Sequence, residues 1–76
     1  MILKIMINLG IPKSIEPRQV PDYLRQTLSV VRRGAGLEET RINLQGSQLP
    51  PDADSDQVAD VIQSFTSPNF RIGIAP

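Results

Sequence analysis

Residues 39–45, Glu-Thr-Arg-Ile-Asn-Leu-Gln, alternate without a break: Thr40, Ile42 and Leu44 fall on one side of an extended chain, and Arg41, Asn43 and Gln45 on the other. Period-two patterning built on β-branched Thr and Ile marks a half-buried strand, and Gly46 ends it. Two further segments read the same way. Over residues 1–9, Met1, Leu3, Ile5, Ile7 and Leu9 share one side while Ile2, Lys4, Met6 and Asn8 share the other, until Gly10 and Pro12 stop the run. At the other end Phe70, Ile72 and Ile74 oppose Arg71, Gly73 and Ala75, and the run closes at Pro76.

Between these strands the apolar spacing changes to that of a helix. Residues 10–20, with Pro12 and Pro17, have no period and read as a loop with room for one short turn. Pro21 suits the first position of a helix, where a missing N–H costs nothing. Leu24, Leu28, Val31 and Ala35 then recur on one stripe, and Gly34 or Gly36 ends it. After the Pro50-Pro51 loop, Asp54 and Gln57 resemble a capping pair ahead of Val58, Val61, Ile62 and Phe65, closed by Ser67 and Pro68. The order is therefore β-α-β-α-β. It predicts one small two-layer α/β domain over residues 1–76, a three-stranded sheet with two helices, or α+β should one strand run antiparallel.

Two helices can cover only one face of such a sheet. If the apolar sides turn toward them, the outer face shows Lys4, Met6, Asn8, Arg41, Asn43, Gln45, Arg71 and Gly73. An all-parallel sheet with a bare face is unusual, so either that face meets another molecule or a strand is antiparallel. Two of the three strands must also lie at edges with unpaired backbone groups, which either pair with a partner's strand or a second copy or are covered by bulges and loops.

Composition narrows the chemistry. At 76 residues the chain buries only about 60–65% of its unfolded surface, a size at which support from a partner or a second copy is common. With 39% hydrophobic and 21% charged residues it is ordinary for a folded domain, and with Tyr23, Phe65 and Phe70 as its aromatics the core must be mainly aliphatic. There is no cysteine, hence no disulfide or thiolate metal site, and no histidine, the side chain that titrates near neutrality unaided. Ser-His and Cys-His nucleophile pairs are thereby excluded, and Lys13-Ser14 has nothing to orient it, so no catalytic residue is assigned. No cofactor is implied.

Three motifs fall short of a ligand site. Asp52, Asp54 and Asp56 have the opening spacing of a calcium loop, but Gln57 stands where glycine is needed and Gln63 where glutamate is; a helix cap explains the aspartates. Gly34-Ala35-Gly36 follows a helix rather than preceding one, which makes it a C-cap and not a phosphate loop. The apolar start, Met1–Ile11, lacks a basic leader and an Ala-x-Ala site and is too short to span a bilayer as a helix, so a cytoplasmic protein without a membrane partner is expected.

Net charge is zero, which argues against general attraction to nucleic acid. The charges are nevertheless polarised. Residues 1–36 hold six basic side chains (Lys4, Lys13, Arg18, Arg25, Arg32, Arg33) against Glu16 and Asp22, a formal +4 that the rest of the chain reverses to −4. Arg32 and Arg33 end one helix and Asp52, Asp54 and Asp56 open the other, as the helix dipoles favour. The expected function is a non-enzymatic interaction module, a small subunit, adaptor or inhibitor that docks on another protein or on copies of itself. Its candidate contacts are Lys4, Asn8, Arg32, Arg33, Arg41, Asn43 and Arg71. Two other classes compete: a binder of nucleic acid or a small anion through the arginines, and a subunit that stacks its basic half on the acidic half of the next copy.

Overall fold

The computed structural model describes residues 4–75. The chain runs β1 (Lys4–Leu9), α1 (Val20–Ala35), β2 (Glu39–Gln45), α2 (Ser55–Phe65) and β3 (Phe70–Ala75), with short 3-10 turns at Pro17–Gln19 and Gly46–Gln48. The part of the first strand expected over Met1–Leu3, and the stop at Pro76, lie outside the described residues. The strands form one sheet in the order β1-β2-β3, and both neighbouring pairs are parallel. The antiparallel alternative is therefore closed, and the domain is α/β.

Register and burial place both helices on the same side. Leu9, Ile42, Leu44 and Phe70 from the sheet join Leu24 and Leu28 of α1 and Val58 and Val61 of α2 in one buried cluster. All of the sheet members belong to the apolar side of the strand alternation, so the cluster forms the layer between sheet and helices. Two crossovers that step in one direction across the sheet and lie on one face share one hand, as parallel connections do. Thr40 is the polar member of that side, 1% exposed, and its hydroxyl donates to the Glu38 carbonyl at 3.2 Å. Among the described residues, no buried side-chain nitrogen or oxygen lacks a partner.

The helix ends refine the sequence reading. α1 begins one residue before Pro21, at the fully buried Val20, because proline fits anywhere in the first turn. Of the two glycines at its end, Gly36 makes the cap. Its φ is +61° and its N–H donates to the Arg32 carbonyl at 3.2 Å, whereas Gly34 lies inside the helix. Gly36→Ala should cost about 1–2 kcal/mol, since an L residue is strained at that φ, and a urea midpoint measurement checks it. At the start of α2, Asp54 Oδ1 accepts the N–H groups of Asp56 at 3.0 Å and Gln57 at 3.3 Å. The aspartate cap thus forms. The Gln57 side chain returns no bond, so the pair is half of a capping box.

One apolar position departs from expectation. Ile74 lies on the inward side of β3 yet is 51% exposed. α2 has 11 residues and β3 has 6. Such a helix is about 16 Å long and such a strand about 20 Å, so the helix layer stops short of the strand's far end.

Candidate functional site

The face of the sheet turned away from the helices is bare, and the strand register arranges it in rows. Met6, Arg41 and Arg71 are consecutive register partners across the three strands, and Asn8, Asn43 and Gly73 form the next row. Lys4 and Glu39 are register partners at the start of β1 and β2. Met6 is 68% exposed, a large apolar side chain between polar neighbours. Asn43 Nδ2 donates weakly to Asn8 Oδ1 at 3.4 Å, which ties β1 to β2 on the surface. A small hollow of about 60 Å³ opens among Met6, Glu39, Arg41 and Arg71.

Arg41 and Arg71 stand directly opposite one another on neighbouring strands. Like charges in that position repel. Among the described residues, the ion pairs are Arg18–Glu16 at 2.9 Å and Arg25–Asp22 at 2.7 Å, and neither includes Arg41 or Arg71. Among the described residues the two arginines thus share the hollow with Glu39 but form no ion pair within 4 Å.

The structure brings Asn8, Arg41, Asn43 and Arg71 onto one surface, with Lys4 on the strand beside them. It does not bring Arg32 and Arg33 there. Those two end α1, in the helix layer, and the Arg32 guanidinium sits 5.9 Å from the centroid of the Phe70 ring. Residue spacing cannot tell which layer an arginine occupies, so the seven candidates divide into a sheet-face group and a helix-end pair. Met6 belongs to the same surface but was not among the expected contacts. Its signal was present in the strand alternation, which sets Met6 opposite the apolar side.

Other concavities carry less. A groove of about 680 Å³ lies at the C-terminal end of the sheet, lined by Glu16, Pro17, Arg18, Asp52, Asp54 and Gln57. Some of its polar groups are already engaged: Arg18 Nε bonds Glu16 at 2.9 Å, and Asp54 caps α2. In open α/β sheets, ligand crevices form where the strand order reverses and helices part to opposite faces. The order β1-β2-β3 has no such reversal. Among the described residues, no group of three carboxylates converges as a metal site, and no helix is long and apolar enough to cross a membrane. The charge polarity of the sequence is blurred in the fold: Arg18 lines one groove with Asp52 and Asp54, and Glu38 lies with Arg32 and Arg33 at the opposite end of β2. No family model, curated protein or solved structure matches the chain.

Proposed function

We propose that this chain is a non-enzymatic interaction module, working in the cytoplasm, that docks on a larger protein through the bare face of its sheet. The observation that carries the reading is an all-parallel sheet with both helices on one side and, on the other, Arg41 opposite Arg71 with no ion pair to either among the described residues. Parallel sheets are otherwise covered on both faces, so an occupant completes the architecture. Arginine forks suit carboxylates in bidentate geometry, and Met6 beside them supplies an adaptable apolar contact. The contact surface is the row Met6, Arg41, Arg71 with Asn8 and Asn43 below it.

A tagged chain passed through nuclease-treated lysate tests this. Wild type and an Arg32→Glu/Arg33→Glu variant should recover the same protein in stoichiometric amount. Arg41→Glu/Arg71→Glu should recover at least about tenfold less, since reversing a contact charge costs 2 kcal/mol or more, while its circular dichroism stays unchanged. Equal recovery by all three forms overturns the sheet-face reading.

The same arginine pair favours one second reading, a binder of nucleic acid or a small anion. Against it, none of the three aromatics that could stack bases lies on this face: Phe70 is buried on the helix side, and Tyr23 and Phe65 belong to the helices. Oligonucleotide binding at about 50 mM salt that collapses by about 200 mM would select this reading instead.

A further inference from the structure

We propose that the outer edge of β3 pairs with the β3 of a second copy, antiparallel about a two-fold axis at Gly73, to make one six-stranded sheet. This concerns the strand edge and stands apart from the reading of the sheet face.

The phase of the ladder decides which backbone groups point outward. Thr40 N–H donates to the Asn69 carbonyl at 2.8 Å. In a parallel pair that bond means Thr40, Ile42 and Leu44 turn their backbone groups toward β3, while on β3 Phe70, Ile72 and Ile74 turn theirs away from β2. Phe70 is closed off by a turn: its N–H donates to the Ser67 carbonyl at 3.1 Å, and the Ser67 N–H donates to the Phe70 carbonyl at 2.9 Å. Ile72 and Ile74 are what remains. Among the described residues, their outward N–H and carbonyl groups have no hydrogen-bond partner.

These groups fit a second copy in one register. With the axis at Gly73, Ile72 of one chain faces Ile74 of the other, and each such pair exchanges two bonds. All the outward groups of both residues in both chains are then used. Centring on Ile72 would set Ile74 against Phe70, whose groups the Ser67 turn occupies. Centring on Ile74 would set Ile72 against a proline, Pro76, which has no N–H.

Side chains agree with this register. Ile72 and Ile74 pair on the helix side, which covers the half-exposed Ile74. On the bare side Arg71 faces Ala75, so no like charges meet. Gly73 has an ordinary negative φ and nothing within 4 Å of where a Cβ would stand, so the chain's own packing does not require a glycine there. Glycine inside a strand often marks the close approach of another backbone, and the pair on the axis is the closest one.

Sedimentation equilibrium of the purified chain, to about 1 mM, tests the proposal across the range of weak complexes. Wild type should reach twice the chain mass and go no further, since the pairing consumes the edge. Ile74→Pro removes an outward N–H in each chain without touching a β2 bond, and should weaken the dimer at least about tenfold with its circular dichroism intact. Ala75→Glu faces Arg71 of the second copy and should tighten it roughly threefold, while Ala75→Lys should loosen it. A wild-type monomer throughout, assemblies beyond the dimer, or a dimer indifferent to the Ala75 changes each overturns the proposal. Should Ile74→Pro fail to fold, the Ala75 pair decides alone.

Discussion

Leu28→Ala should lower the stability of this domain by about 3 kcal/mol. Leu28 is fully buried on α1 and belongs to the single cluster that joins both helices to the sheet. The loss combines the transfer energy of the removed carbons with the cavity left in a layer that has no second core to relax into. At 76 residues the whole stability is about 4–11 kcal/mol, so this one substitution removes a large share of it. Urea unfolding followed by circular dichroism gives the measurement: the midpoint should fall while the slope is retained. Leu37→Ala, at a position 93% exposed, is the control and should shift stability by less than about 0.5 kcal/mol. A Leu28→Ala shift as small as that of the control would mean that the layer is not packed as described.

Phe70→Ala should cost about 3–5 kcal/mol. Phe70 is the one aromatic ring in the buried cluster, 3% exposed, at the start of β3 and in register with Thr40. It therefore fills the end of the core nearest the C-terminus of α1, where the Arg32 guanidinium lies 5.9 Å from its centroid. Most of the loss is cavity and transfer energy. A double-mutant cycle with Arg32→Ala isolates the cation–ring part, expected near 0.5 kcal/mol because Arg32 is exposed. Phe70→Leu should recover much of the stability but none of the coupling. A coupling of zero would assign Arg32 to the helix dipole alone.

The strands, the helices and their order were legible because each apolar pattern spans a whole element. The alternation of Thr40, Ile42 and Leu44 against Arg41 and Asn43 sorted both faces of β2 correctly. The same rule placed Asn8, Arg41, Asn43 and Arg71 on one surface. Strand direction was not legible, since alternation is the same for either direction; the helix crossovers settle it. Nor was the separation of Arg32 and Arg33 from the sheet-face arginines, because that depends on which layer a helix end occupies. Ile74 looked buried on pattern alone and proves half exposed because helix and strand differ in length. The outward groups of Ile72 and Ile74 depend on hydrogen-bond phase, on which side-chain pattern is silent.

The central place of β2 has a consequence for how the molecule can come apart. β2 is at once the last strand of a β1-α1-β2 unit and the first of a β2-α2-β3 unit. Severing the 46–54 connection would leave one fragment with a two-stranded sheet under one helix, and another with a helix and a strand that has no neighbour. The second fragment has no sheet at all, and the first loses the α2 and β3 side chains Val58, Val61 and Phe70 from its buried cluster. The two units share a component that neither can surrender, so the Ile42 amide, at the centre of the sheet, should exchange with solvent among the slowest in the chain.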